Sequence, residues 1–210
     1  MVYLLPKLLI IPIIRLWVRK VRGLENLPKE GAFIIATNHA SYMDHLIIAS
    51  YVILHLDRKF HFLAKKEHFD NPIKKAWHDY AGAIPIDRQK GGKKALRRAL
   101  KALREGKIIA IHPEGTRTLT GKLQRAKTGV AKLALFSKAP VMPVGLVGTF
   151  EILPKGKYLP KFKRAEMNIG RPMNFPEYYG KKINEKVLRQ ATNKIMKEIA
   201  ILSKQKYNFR

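Results

Sequence analysis

The chain of 210 residues is long enough for one well-buried core and short for two domains, and its 46% hydrophobic content excludes an intrinsically disordered protein. It has no cysteine, which excludes disulfides, thiolate metal sites and cysteine nucleophiles. With 42 Lys and Arg against 15 Asp and Glu, the net charge of +27 predicts an anionic partner: nucleic acid, an anionic membrane, a phosphorylated metabolite or an acidic protein.

The N-terminal stretch MVYLLPKLLIIPIIRLWVRKVRG is apolar and then basic, and it lacks the small-residue cleavage site of a signal peptide. Its longest uninterrupted apolar run, Leu8 to Ile14, is well short of the roughly 20 residues that cross a bilayer. The stretch carries residues typical of a membrane interface: Trp17, Arg19, Lys20 and Arg22. We therefore expect an amphipathic, membrane-associated helix over residues 1–22, followed by a domain over 23–210; a short helix buried against the core is the alternative.

Strand-like and helix-like runs alternate along the rest of the chain. Apolar or alternating patterns predict strands at 32–37, 59–65, 82–87, 107–111 and 140–148. Helical spacing of apolar residues predicts helices at 41–54, 71–81, 91–107, 128–139 and 184–202. The segment 151–182 is predicted to be irregular, with one short strand near AEMNIG. This alternation predicts an α/β fold, a single domain with a mostly parallel central sheet flanked by helices.

Two predicted strands run into polar loops, NHASYMD and HPEGTRT, and ligands of α/β sheets gather where strands end. His39 and Asp44 would point roughly 140° apart on one helix, so they can meet only if His39 precedes the helix and Asp44 begins it. A histidine oriented by a carboxylate is a general base, and without a protein nucleophile the substrate must supply the attacking hydroxyl. The alternatives are a loop histidine that caps a helix and a zinc site formed by His39, Asp44, His45 and His112.

In HPEGTRT, Pro113 and Gly115 bracket a tight turn after an apolar strand. Arg117 can bind a phosphate through two parallel hydrogen bonds. Glu114 either holds Arg117 in position or binds a ligand hydroxyl. The alternative is a surface turn with a salt bridge.

The segment Arg88–Lys107 holds nine Lys and Arg against one acid, Glu105. Such a face is either simply solvated or contacts phosphates of a membrane or a donor substrate. A nucleic-acid-binding domain would be expected to interleave aromatic residues for base stacking, and this segment has none.

Four blocks in order resemble one family. NHASYMD matches N-H-x-x-x-x-D, and HPEGTRT matches an F-P-E-G-T-R-S type of block, with His112 and Thr118 as mild departures. GAIPIDR resembles an intermediate block that ends in arginine, and APVMPVGLVGT resembles a late block built around Pro-Val. The chain thus resembles the 1-acyl-glycerol-3-phosphate acyltransferase (lysophosphatidic acid acyltransferase) family of glycerolipid acyltransferases.

This resemblance implies a phospholipid-biosynthesis enzyme that moves a fatty acyl group to the sn-2 hydroxyl of 1-acyl-glycerol-3-phosphate and gives phosphatidic acid. It assigns His39 as the base and Asp44 as its orienter. It implies an acceptor site of Lys65, Arg88, Glu114, Gly115, Thr116 and Arg117. Pro143 would serve the acyl donor or the structure.

The same resemblance implies no metal and no bound cofactor, with acyl-CoA or an acyl-carrier-protein thioester as co-substrate. The partners would be a lysophospholipid, this donor and an anionic membrane surface, with no nucleic acid. The expected location is the cell membrane, peripheral or monotopic on its cytoplasmic face. Another lysophospholipid, a sugar lipid or an amino lipid remains possible as acceptor, and a basic nucleic-acid-binding domain is the alternative of a different class.

Overall fold

A seven-stranded sheet forms the centre of the computed structural model, which describes residues 3–4, 6–87, 89 and 91–209. The strands are β1 Val18–Arg22, β2 Phe33–Thr37, β3 Phe60–Lys65, β4 Ala83–Ile86, β5 Ile108–Ile111, β6 Val141–Val147 and β7 Ala165–Ile169. Their spatial order is β1-β7-β6-β2-β5-β3-β4. Strands β2 to β6 run parallel, β7 is antiparallel to β6, and β1 is parallel to β7. The predicted α/β class with a mostly parallel sheet is confirmed.

The α-helices, apart from the first and the sixth, overlap the segments predicted to be helical from their apolar spacing. They are α1 Ile11–Arg15, α2 Asp44–Leu56, α3 Pro72–Tyr80, α4 Lys93–Arg104, α5 Gly129–Ser137, α6 Thr149–Ile152 and α7 Glu185–Leu202. Asn71 caps α3 by accepting hydrogen bonds from two backbone N–H groups, and Asn184 caps α7 by accepting one from Val187. Each cap fixes where its helix begins, and so fixes the loop that precedes it.

β2 lies at the middle of the sheet, and all five of its residues are buried. Phe33 and Ile35 face the layer that contains α2, whereas Ile34 and Ala36 face the layer of α4, α5 and α7. A strand covered on both faces needs apolar residues at every position, which explains the uninterrupted run FIIA. This three-layer packing places the carboxyl ends of β2 and β5 side by side at one edge of the sheet.

The N-terminal segment differs from the predicted helix over 1–22. Its last helical element, α1, ends at Arg15, and Val18–Arg22 is strand β1. Val18 pairs with Ala165 of β7 and is buried in the core, so the free edge of β7 draws these residues into the sheet. Among the described residues, no helix combines the length and the hydrophobicity needed to span a bilayer.

Candidate active site

The loop after β2 begins with an asparagine that continues the sheet with its side chain. The Asn38 Nδ2 group donates to the Leu146 carbonyl at 2.9 Å, and the Leu146 N–H donates to Asn38 Oδ1 at 2.8 Å. The amide thus replaces one rung of backbone pairing with β6 while the main chain turns away from the sheet. His39 is therefore presented at the strand end on a rigid support.

His39 and Asp44 are in contact, because His39 precedes α2 and Asp44 begins it, which is the condition that their spacing set. The His39 Nδ1–H donates to Asp44 Oδ2 at 2.9 Å, and Asp44 is the first residue of α2. The same oxygen accepts the N–H groups of Ala40 at 2.7 Å and Ser41 at 2.8 Å. Because a carboxylate can only accept, the neutral imidazole carries its proton on Nδ1 and a lone pair on Nε2. That arrangement is the one a general base requires.

The carboxyl group of Asp44 lies wholly inside the protein, whereas the His39 side chain is 15% exposed. Burial raises the pKa of Asp44, and the hydrogen bonds from the backbone N–H groups of Ser41 and Ala40 oppose that rise. Each of these donors favours the ionised carboxylate. Burial keeps water from competing for the contact with His39.

The ring of His112 lies flat against the ring of the candidate base, His39. Its ring stacks on the His39 ring with centroids 3.7 Å apart and planes 8° apart, and its Nδ1–H donates to the Asn38 carbonyl at 3.2 Å. Burial, and secondarily the charge of His39, lowers the pKa of His112 to about 3. His112 is therefore uncharged at neutral pH, and its ring limits rotation of His39. The sequence marked this position only as a departure from the family block and as a zinc alternative.

Glu114, predicted to hold Arg117 or to bind a ligand hydroxyl, accepts hydrogen bonds from backbone N–H groups with both carboxylate oxygens. Its side chain is only 4% exposed, Oε1 accepts the His39 N–H at 2.7 Å, and Oε2 accepts the Gln124 N–H at 2.8 Å. The Thr118 N–H also donates to the His39 carbonyl at 2.9 Å. Glu114 thus ties the HPEGTRT loop to the histidine loop, because both of its oxygens serve the backbone. Burial raises its pKa to about 7.

A crevice of about 180 Å³, which we call the α2-side crevice, opens beside His39. It is lined by Arg117, Lys65 and Thr116 among others, so three predicted acceptor-site residues share one cavity with His39. The Arg117 guanidinium lies 3.4 Å from the centre of the Tyr42 ring, and its buried Nη1 lacks a hydrogen-bond partner among the described residues. A cation oriented by an aromatic ring with an unused donor is suited to an anionic ligand.

A second cavity of about 330 Å³, the α4-side crevice, is also lined by His39 and His112. The starts of α4 and α5 lie along it, with Lys93, Lys127 and Lys132 in its lining. Gly115 lines it too, at a φ of 74° that β-carbon-bearing residues rarely adopt. The His39 imidazole therefore lines two cavities.

Pro143, predicted to serve the acyl donor or the structure, does not line either crevice. Pro143 is buried within β6 opposite Ala36, a position that agrees with the structural alternative for it. Arg88 is outside the described residues.

Of the four predicted membrane residues, Arg19 and Arg22 pair with Glu166 of β7, and the ion pairs with Lys204 and Arg19 lower the Glu166 pKa to about 2. Both arginine side chains are nevertheless about half exposed, and the membrane contact predicted for them stays a prediction. Lys20 is exposed, and the half-buried Trp17 donates its indole N–H to the Lys161 carbonyl at 3.0 Å.

No cluster of three or more His, Cys, Asp or Glu side chains within 3–4, 6–87, 89 and 91–209 has the geometry of a metal site. The zinc ligand set considered from the sequence, which includes His45, is therefore not assembled by the described side chains. Burial lowers the pKa of His45 to about 4, so this histidine is uncharged at neutral pH.

A family model described as Acyltransferase matches residues 18–147, which is more than half of the chain. The chain belongs to the acyltransferase family. The match covers every strand from β1 to β6 and both loops that build the site. It favours an enzyme over the nucleic-acid-binding alternative.

Named relatives of this acyltransferase share one activity in their names. The chain is 30% identical to the 1-acyl-sn-glycerol-3-phosphate acyltransferase of Bacillus subtilis, over 86% of this chain and 87% of that protein. It is 28% identical to the protein of the same name from Streptococcus pneumoniae, over 82% of this chain and 61% of that protein. A chloroplastic relative from Brassica napus is 28% identical over 87% of this chain, which spans about half of that protein, 51%.

The acyltransferase also resembles a solved structure. The crystal structure of the 1-acyl-sn-glycerophosphate acyltransferase PlsC from Thermotoga maritima superposes with a TM-score of 0.69 and 26% identity, over 97% of this chain and 83% of that one. The α/β fold with a mostly parallel sheet is therefore shared with a member of the same family.

Proposed function

We propose that this acyltransferase moves a fatty acyl group from a thioester donor to the sn-2 hydroxyl of 1-acyl-glycerol-3-phosphate, giving phosphatidic acid. The observation that carries the proposal is the 2.9 Å contact between His39 Nδ1 and Asp44, beside a crevice that contains Arg117 and Lys65. The names of the relatives support the same acceptor.

In this mechanism, His39 Nε2 takes the proton of the acceptor hydroxyl as the hydroxyl oxygen attacks the thioester carbonyl carbon. The C–O bond forms, the C–S bond breaks, and the thiolate leaves with the electron pair of that bond. The proton held by His39 then passes to the thiolate, so the base is regenerated. Asp44 stabilises the transient imidazolium because its carboxylate lies against Nδ1.

The phosphate of the acceptor would lie against Arg117 in the α2-side crevice. The Tyr42 ring orients the guanidinium, and Nη1 is a buried donor that a phosphate oxygen would satisfy. Lys65, at the end of β3, adds a second positive charge to the same cavity. The proposed donor is acyl-CoA or acyl carrier protein, whose negative charges match the basic chain. The proposed location is the cytoplasmic face of the cell membrane, reached peripherally or monotopically.

The direct test is an acyl-transfer assay with purified protein. Lysophosphatidate should be acylated much faster than an uncharged monoacylglycerol, and the product should be phosphatidic acid. Supplying acyl-CoA and acyl carrier protein thioesters separately identifies the donor. Equal rates with the charged and uncharged acceptors would remove the phosphate from the proposal, and preference for another lysophospholipid would change the acceptor.

Arg117→Ala should lower kcat/KM for lysophosphatidate by about 10² or more, mainly through KM, because a charge-assisted phosphate contact is lost. The rate with an uncharged acceptor should change little. Arg97→Ala removes the same charge from the exposed surface of α4 and serves as the matched control. Unchanged kinetics in Arg117→Ala would exclude this residue from the acceptor site.

A further inference from the structure

The connection between α6 and β7 contains a segment, Lys155–Arg164, that we call the basic–aromatic loop. All of its residues are exposed. Tyr158, Leu159 and Phe162 are 90%, 85% and 79% exposed, values that are unusual for three large apolar side chains in one loop. The loop also carries five cations and no acid, and none of these cations forms a salt bridge within the described part of the chain: Lys155, Lys157, Lys161, Lys163 and Arg164.

One end of this loop is fixed to the N-terminal segment. Trp17 donates its indole N–H to the Lys161 carbonyl at 3.0 Å, and its ring meets Phe162 edge-on with centroids 6.4 Å apart. Arg164 donates to the Val18 carbonyl at 3.2 Å. The N-terminal segment itself exposes a row of large aliphatic side chains: Leu8, Leu9, Ile13 and Leu16. The loop is therefore joined, through Trp17, to a segment that also exposes large apolar side chains.

The other end of the loop is fixed to the active site. The Leu153 carbonyl, just before the loop, accepts the Ser41 hydroxyl at 2.8 Å and the Tyr42 N–H at 3.1 Å. Lys155, the first residue of the loop, lines the α2-side crevice together with His39. Whatever the loop binds is consequently held close to the mouth of this crevice.

We propose that the basic–aromatic loop is a membrane-docking surface that inserts Tyr158, Leu159 and Phe162 into the interface of an anionic bilayer. Apolar side chains interleaved with lysines fit this partner, because the rings and aliphatic groups enter the acyl boundary while the ammonium groups stay among headgroup phosphates. Charge complementarity and continuity with the apolar N-terminal segment favour a lipid surface over a protein partner. This inference rests on the proposed function, because docking would bring the active site to a lipid acceptor. Its test measures membrane binding separately from catalysis.

The binding test compares the triple variant Y158S/L159S/F162S with F136S/I201S, which removes exposed apolar side chains from α5 and α7. Both are sedimented with vesicles of phosphatidylcholine plus phosphatidylglycerol. The loop variant should bind at least about tenfold more weakly than the unaltered protein, and the control should bind as tightly as the unaltered protein. Equal binding by the loop variant would overturn the proposal.

A second measurement reports whether the loop itself enters the bilayer, and it does not require a variant with weakened binding. The chain has no cysteine, so Leu159→Cys can be labelled singly with an environment-sensitive fluorophore, and Ile201→Cys gives a label on α7 as control. Vesicles should shift the emission of the label at 159 to shorter wavelength and leave the label at 201 unchanged. No shift at 159 would overturn the proposal even if the protein binds vesicles by another surface.

Charge is tested with K157Q/K161Q/K163Q against K94Q/R97Q/R98Q, which remove equal charge from the loop and from α4. Since each cation near an anionic surface contributes about fivefold in binding, the loop variant should lose at least about tenfold and the α4 variant less. Equal losses would show that net charge alone governs binding and would overturn the assigned role of the loop.

Acyl-transfer assays distinguish failure of this inference from failure of the proposed function. The variant Y158S/L159S/F162S should acylate a short-chain, monomeric lysophosphatidate at the unaltered rate and be slower only when the acceptor is held in vesicles. If the unaltered protein transfers no acyl group to either form, the proposed function fails while the binding result stands. If the variant matches the unaltered protein on vesicles, the docking inference fails while the proposed function stands.

Discussion

At the scale of single residues, His39 is held from three directions, each by a different kind of contact. Asp44 fixes Nδ1 by a hydrogen bond, His112 fixes the plane of the ring by stacking, and Glu114 fixes the backbone through the N–H of His39. The first contact was predictable because a spacing of five residues makes it local. The other two were not, because they join loops that are about seventy residues apart and depend on the neighbouring positions of β2 and β5.

The buried carboxyl of Glu114 predicts a pH-dependent stability. Its pKa rises from 4.5 to about 7, so the folded protein keeps a proton that the unfolded chain has released. The resulting stabilisation, roughly 3 kcal/mol at most, is fully present below about pH 4.5 and is lost as the pH rises through about 7.

The variant Glu114→Gln has no ionisable group at this position. As the pH rises from about 5 to about 8, the difference between its melting temperature and that of the unaltered protein should therefore shift in favour of the variant. Thermal unfolding of both proteins across this range is the measurement. Parallel curves for the two proteins would contradict the assignment of a raised pKa to this side chain.

At the scale of elements, the alternation of apolar runs predicted β2 to β6 and the helices between them, because each of these elements has its own local pattern. It did not predict β1, whose residues the sequence pattern places in a membrane-associated helix. The stretch VRKVR becomes a strand only because β7, more than 140 residues later, offers a free edge to Val18 and its neighbours. Long-range pairing of this kind leaves no periodic signal in the strand itself.

The packing of β6 against α7 predicts a sharp contrast between two glycine substitutions. A Cβ at Gly145 would overlap the backbone of Leu202 and Ser203, where α7 ends against the strand. Gly145→Ala should therefore lower the free energy of unfolding by about 3 kcal/mol or more.

Gly129, the first residue of α5, is the matched control, because a Cβ there would meet only Ile111 at 3.9 Å. Gly129→Ala should be neutral or stabilise by about 0.5 kcal/mol. Urea unfolding of both variants measures the difference. Similar stabilities for the two variants would show that α7 does not approach β6 this closely.

At the scale of the whole molecule, a net charge of +27 surrounds the site for which we propose a lipid alcohol and an anionic donor as substrates. Most of this charge lies on exposed surface, such as the outward side of α4, where salt screens it. The composition predicted an anionic partner but could not choose among several. The four motif blocks in their order indicated an acyltransferase, and the family match and the named relatives support this.

Screening gives a prediction for the intact protein. Raising the ionic strength from about 0.1 M to about 1 M shortens the Debye length from about 10 Å to about 3 Å. Binding to vesicles that contain phosphatidylglycerol should weaken by at least about tenfold, since it depends on cations near the surface. Binding to phosphatidylcholine alone should change little. Sedimentation at both salt concentrations measures this, and salt-independent binding to the anionic vesicles would mean that charge does not drive attachment.

The most direct test of the proposed mechanism is the rate of acyl transfer by His39→Ala, compared with His55→Ala, which alters an exposed histidine in the last turn of α2. With lysophosphatidate and a thioester donor, His39→Ala should reduce kcat by about 10² to 10⁴ while its melting temperature stays close to that of the unaltered protein. His55→Ala should retain full activity. Transfer by His39→Ala at the unaltered rate would contradict the assignment of this imidazole as the base.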